Sequence, residues 1–279
     1  MFYRTEEVNS LISPNSDNAT VTWASGLNFC DKPEFWVYIK SLKNTDADHF
    51  LLTHEINIRQ KLEIEKHGIF VIEVDRNQLK DNFFLDRNFV FARFMLQLMK
   101  YGYEHVTITD SKDVIFQKNI FEVNNKLTLV SEGFKHRDSS WNLADQFTFH
   151  SGVRSDKKEL VGPPIDLSDK FVINGGVIIG NPLVLFELTE EIAETGRCSS
   201  GKFTDQAVLN HLIYTEQIEN FYITNPEENI CLMGEAIKEG FVTDYKFKDG
   251  KFFNSKDEEF YIVHQWDRTK YREEVLKNL

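Results

Sequence analysis

Cysteine is scarce in this chain: three occur among 279 residues, Cys30, Cys198 and Cys231, far apart and with no C-x-x-C spacing. That excludes a disulfide framework and a zinc knuckle, and it fits a reducing cytoplasm. Long apolar runs are missing too. Nowhere do 18 apolar residues follow one another, so no membrane-spanning segment is expected, and the polar N-terminus MFYRTEEVNSLISPNSDN has no signal-peptide core. Positive charge also falls short, with 32 Lys plus Arg against 44 Asp plus Glu and a formal charge of -12. No global field therefore attracts nucleic acid or anionic lipid. Near the N-terminus only Gly26 occurs, so the glycine-rich phosphate loop expected of a nucleotidyltransferase is absent. Internal repeats, low-complexity tracts and linkers are absent as well.

What is present is enough for a sizeable core: 41% hydrophobic residues, among them 24 Phe. A single domain over residues 1–279 is expected. Residues 19–27 (ATVTWASGL) read as a first strand, and residues 32–44 as a helix with Pro33 in its first turn. HFLLTHE (49–55) and GIFVIEVD (68–75) read as strands around a helix closed by Gly68. This alternation predicts an α/β fold with a mostly parallel sheet. Residues 86–102 are apolar almost all round and predict a buried helix feeding HVTITD (105–110). Further along come KLTLVSE (126–132), the segment SSWNLADQF (139–147) and a long irregular stretch at 150–170, read as a lid or a partly disordered loop. FVINGGVIIGNP (171–182) reads as strand, glycine pair, strand, and Pro182 opens a helix. Thr204 is a candidate cap for the next helix. FYIT, a KDGK hairpin at 246–253, the strand EFYIVHQW and a last helix from about Thr269 complete the pattern.

Chemistry-bearing residues cluster at the expected strand ends. Asp110 and Asp113 follow HVTIT directly, and two carboxylates at a strand end suit a hard divalent cation that bridges to phosphate oxygens. The plain alternative is a turn, where Asp is favoured. His264 ends an apolar strand; imidazole is a common metal ligand and favours manganese over magnesium, although a satisfied core histidine is the plainer reading. Asn174, Gly175 and Gly176 let a ligand approach the backbone, or else mark a bulge. Asp205 and Gln206 open a helix, where the carboxylate also serves the helix dipole.

The run D-x-x-D-V-x-F-Q after a strand, then N-G-G-V-I-I-G-N, T-D-Q-A-V-L-N and V-H-Q-W-D-R, resembles GT-A glycosyltransferases. The plan is similar to the retaining family that includes glycogenin and the lipopolysaccharide galactosyltransferases, over residues 20 to 270. The resemblance implies a GT-A, Rossmann-like sheet with a small C-terminal antiparallel element. It implies a nucleotide-binding half at about 19–125 and a sugar and acceptor half at about 126–279. Asp110, Asp113 and His264 take the places of metal ligands, Asn174 with Gly175 and Gly176 that of a donor-sugar contact, and Asp205 and Gln206 that of the pair beside the anomeric carbon. Arg93 matches an arginine that reaches the donor. Two departures stand out: Lys112 occupies the position of the usual second acid, and Gln265-Trp266-Asp267-Arg268 replaces the usual ending. Lys112 and Gln265 are counted with the donor-binding residues, and Arg268 replaces the usual lysine as diphosphate clamp.

The implied cofactors are Mn2+ or Mg2+ and a nucleotide-sugar donor, UDP-sugar by resemblance. The implied reaction is transfer to an acceptor hydroxyl with retention, the acceptor being a surface glycan or lipopolysaccharide. For inversion, Asp205 or Asp145 is the candidate base. The alternative acceptor is hydroxymethylated cytosine in DNA, as for a phage enzyme, with Arg154, Lys157 and Lys158, or Lys246, Lys248 and Lys251, tracking the backbone. An inactive nucleotide-sugar-binding module is the alternative from another class.

Overall fold

The computed structural model describes residues 14–26, 28–79, 83–122, 127–151, 165–197, 204–224, 228–234 and 245–278. Most of the 150–170 stretch, with Arg154, Lys157 and Lys158, lies outside them, as does Cys198.

The chain opens β1 (Asn18–Ala24), α1 (Pro33–Ser41), β2 (Asp48–Thr53), α2 (Ile58–Glu65) and β3 (Ile69–Glu73). Pro33 sits in the first turn of α1. An Asn57 and Gln60 capping box starts α2, and Gly68 follows it with φ +77°, a left-handed conformation suited to a residue without Cβ. Next come α3 (Phe83–Tyr101), β4 (His105–Asp110), β5 (Val114–Phe116), β6 (Leu127–Lys135) and α4 (Ser140–Ser151). The remainder is β7 (Phe171–Gly180), α5 (Pro182–Arg197), α6 (Asp205–Tyr214), β8 (Phe221–Thr224), β9 (Ile230–Leu232), β10 (Lys246–Lys248), β11 (Lys251–Phe253), β12 (Ile262–His264) and α7 (Arg272–Lys277).

Seven strands form the central sheet in the order β3-β2-β1-β4-β7-β6-β8. The first four are mutually parallel; β7 runs antiparallel between β4 and β6, and β8 is parallel to β6. The expected α/β class is thus observed. Side chains alternate along β1 and β2: Val21, Trp23, Phe50 and Leu52 pack with Phe94, Met95 and Leu98 of α3 and with Leu188 of α5. Ala24 and Leu51 face the other way, toward Phe35 and Tyr38 of α1 and Ile64 of α2. Burying both faces accounts for the near-continuous apolar reading of these strands.

One expectation needs correction. Residues 171–180 form one continuous strand rather than two around a glycine pair. The strand is held on both sides, by β4 and β6, and the irregularity that the glycines allow appears as a register shift between β6 and β7, from Thr128 opposite Ile179 to Val130 opposite Asn174. The segment SSWNLADQF, given no element above, lies in α4 from Ser140 onward.

A smaller sheet, β5-β12-β9, decides the site. Because β12 pairs antiparallel with β5, His264 stands opposite Val114, and Gln265 N–H donates to the Asp113 carbonyl at 2.6 Å. The hairpin β10–β11 is present where expected.

Candidate functional site

Strand order reverses at β1, which has β2 on one side and β4 on the other, and in open α/β sheets ligands bind at the carboxyl ends of the strands at such a point. Asp110 is the last residue of β4, in register with Trp23. The tight step from β4 to β5 brings Asp113 back beside it, and β12 delivers His264 from far downstream. Asp110, Asp113 and His264 each present a ligand atom within 4.8 Å of the others. His264 Nε2 lies 3.5 Å from both Asp110 Oδ2 and Asp113 Oδ1. These are charge contacts only: Asp113 Oδ1 and His264 Nε2 are buried without a hydrogen-bond partner. An unpaired buried polar atom is costly, and two aimed at one point fit a cation, which would accept both.

Gly176 shapes the opposite wall. A Cβ built there would fall 2.3 Å from His264 Cε1 and 2.6 Å from Asp110 Oδ2, so only glycine lets β7 pass this close. Its N–H donates to Asn174 Oδ1 at 2.7 Å. Asn174 Nδ2 in turn donates to Glu132 Oε1 at 3.0 Å, as does Gln206 Nε2, also at 3.0 Å. Gln206 Nε2 also donates to Asn142 Oδ1 at 3.1 Å, while Gln206 Oε1 accepts from Gly175 N–H at 3.2 Å. Six polar groups from β6, β7, α4 and α6, four side chains and two backbone N–H groups, therefore form one network beside the triad.

Arg87 joins the two halves of the site. Its Nη1 donates to Asp110 Oδ1 at 2.8 Å and its Nε to Asp205 Oδ2 at 2.7 Å. Asn88 Nδ2 meets the same Asp205 oxygen at 2.7 Å. Burial alone would raise the Asp110 carboxyl, but Arg87 and then His264 outweigh it and hold the group well below the usual carboxylate range. Burial likewise disfavours the His264 imidazolium, yet the Asp113 and Asp110 carboxylates push it up to about 10. A divalent cation would take the place of that proton.

The predicted residues thus divide. Asp110, Asp113, His264, Asn174, Gly175, Gly176, Asp205 and Gln206 converge. Gln265 and Arg268 stand next to them around Gly234, where a Cβ would come within 2.0 Å of Gln265 Oε1 and 2.8 Å of Arg268 Nη1. Gln265 itself has φ +59°, a strained backbone state for a residue with a side chain. Lys112 is exposed on the turn, and its charge favours the ionised forms of Glu34 and Asp267. Arg93 is not the arginine bonded to Asp110: its guanidinium stacks over Phe89 at 5.2 Å, and Arg87 makes that bond instead. Asp145 accepts from Thr204 N–H and Oγ1 on its two oxygens, so it fastens the start of α6; Thr204 is the N-cap residue but makes no side-chain cap. Lys246 and Lys251 are ion-paired with Asp257 and Glu259, which does not favour a backbone-tracking groove there. Sequence reasoning missed Arg87, Asn88, Glu132 and Asn142; the available signal was a polar cluster, Asp86-Arg87-Asn88, inside an apolar helix.

No protein-family match is found for the chain, and no curated protein matches it significantly. Among the described residues no helix is long and apolar enough to cross a membrane.

Proposed function

We propose that the chain is a metal-dependent glycosyltransferase of GT-A type that moves a sugar from a nucleoside-diphosphate donor to an acceptor hydroxyl. One observation carries this reading: the Asp110, Asp113 and His264 cluster, with its unpartnered buried atoms, lies at the carboxyl edge of the sheet where strand order reverses. A cation held there, Mn2+ or Mg2+, supplies charge neutralisation for a departing diphosphate. Arg268, exposed beside Gln265, is suited to the outer phosphate. Glu132, Asn174 and Gln206 offer fixed donors and acceptors to sugar hydroxyls, and the carboxamide of Gln206 is oriented by Glu132 and Asn142 before any substrate arrives. Asp205, pinned by Arg87 and Asn88, supports this wall.

A glycan acceptor fits the net charge of -12 better than DNA does. Donor hydrolysis tests the reading: a panel of nucleotide sugars, uridine diphosphate donors first, is incubated with Mn2+ and with chelator. Metal-dependent release of nucleoside diphosphate is the expected result. Failure with every donor overturns it, and labelled donors offered to glycans and to hydroxymethylated DNA separate the acceptors.

A further inference from the structure

We infer that Arg87 sets which divalent cation the site prefers, by making Asp110 a one-oxygen ligand; the inference rests on the metal-centre reading above. A carboxylate can grip a cation with one oxygen or two. In Asp110 the Oδ1 atom is already taken by Arg87 Nη1 at 2.8 Å, and only Oδ2 faces His264. Arg87 has little freedom to yield. Its side chain is 14% exposed, its Nε is held by Asp205 Oδ2 at 2.7 Å, and Asn88 fixes that oxygen in turn. Two-oxygen chelation by Asp110 would break a half-buried charge-assisted hydrogen bond.

The site then offers one oxygen from Asp110, the unpartnered Oδ1 of Asp113 and one imidazole nitrogen. Such a set suits a small cation of octahedral habit that accepts nitrogen, Mn2+ above all. It is poor for Ca2+, which takes more oxygens and tolerates two-oxygen carboxylates. Charge alone does not explain this preference. The guanidinium repels Mn2+ and Ca2+ equally, since both carry two charges. Removing Arg87 therefore strengthens attraction for both, whereas freeing Asp110 Oδ1 favours Ca2+ selectively. The ratio of the two affinities isolates geometry from charge.

The test uses the full chain with Mn2+ and Ca2+ as the only added ligands, Mn2+ followed by electron paramagnetic resonance and Ca2+ by competition. Wild type, Arg87→Met and the paired variant Arg87→Met with Asp205→Asn are compared, with circular dichroism as the check on fold. The paired variant removes one positive and one negative charge together, so Asp205 is not left as a buried carboxylate without its cation while Asp110 keeps His264 beside it, and it carries the test where the single variant does not fold. Wild type is expected to prefer Mn2+, and the variants to lose about tenfold or more of that preference, the scale of outer-shell effects on metal sites. Affinities that shift together with an unchanged ratio overturn the inference and leave the metal centre standing. Absence of Mn2+ binding to wild type overturns the metal centre itself, and this inference with it.

Discussion

Gly176 and His264 sit so close that the smallest side chain on the glycine would overlap the imidazole, with 2.3 Å between a built Cβ and His264 Cε1. Neighbouring Gly175 differs sharply, since the nearest atom to its built Cβ is Gln206 Cβ at an ordinary 3.8 Å. Gly176→Ala is therefore expected to weaken Mn2+ binding by about tenfold or more, the overpacking cost of roughly 1–3 kcal/mol falling on the metal ligands. Gly175→Ala should leave Mn2+ binding near wild type. Titration of both variants checks the pair, and equal behaviour would mean that β7 moves freely.

Asp110→Ala and His264→Ala are each expected to lower metal-dependent donor turnover by more than the roughly 10- to 100-fold associated with outer-shell partners, with the fold retained. Turnover at saturating Mn2+ and a thermal melt separate loss of ligand from loss of structure. Near wild-type turnover in either variant would place the metal elsewhere.

Glu132 accepts two carboxamide donors on one oxygen, from buried Asn174 and half-buried Gln206. Its truncation in Glu132→Ala removes one acceptor from each, leaving Gln206 Nε2 with Asn142 Oδ1 and Asn174 Nδ2 with Gln206 Oε1 at 3.4 Å, at about 1–3 kcal/mol for a polar group left unsatisfied. Glu132→Gln keeps an accepting oxygen and should retain more activity. Comparison of kcat and KM for the two variants is the measurement; equal losses would show that the negative charge matters more than the acceptor.

Acid should weaken the fold through His211. This residue of α6 is packed against Phe149 and, at 5.0 Å between rings, His150. Burial first and the neighbouring His150 second push it down to about 4. The unfolded chain, with an imidazole near 6.5, binds the proton more readily than the folded one, so stability is intact above that value and declines as pH falls from about 6.5 toward 4. The full loss from this one group approaches roughly 3 kcal/mol. Urea midpoints measured across that range check the slope, and His211→Leu should reduce it by this group's share, since burial also pushes His49 down to about 4.

Much of this arrangement is legible in the sequence where local chemistry decides it. Pro33, Gly68, Pro182 and the KDGK turn mark their element ends because each has a backbone preference of its own. Asp110 is legible because it ends an apolar strand. Arg87 is not. The helix around it is apolar on nearly every side, so no stripe reveals which arginine faces the end of β4, and the six-residue step from Arg87 to Arg93 turns the two about 120° apart. Glu132 is hidden for a related reason: an acid at the end of an alternating strand reads as solvent-facing until Asn174 and Gln206 arrive from elements remote in sequence. The long strand through Gly175 and Gly176 also depends on neighbours on both sides, which local propensity does not contain.

The pairing of β12 with β5 carries a consequence for biogenesis. A nascent chain emerging from the ribosome displays both aspartates long before its imidazole is made. Until the downstream strand docks and its Gln265 amide bonds to the Asp113 carbonyl, the cation seat is incomplete. On the proposed metal-centre reading, capture of the ion would follow docking of β12 rather than seed the fold, and truncation ahead of β12 would leave a chain with most of its sheet but without the His264 ligand.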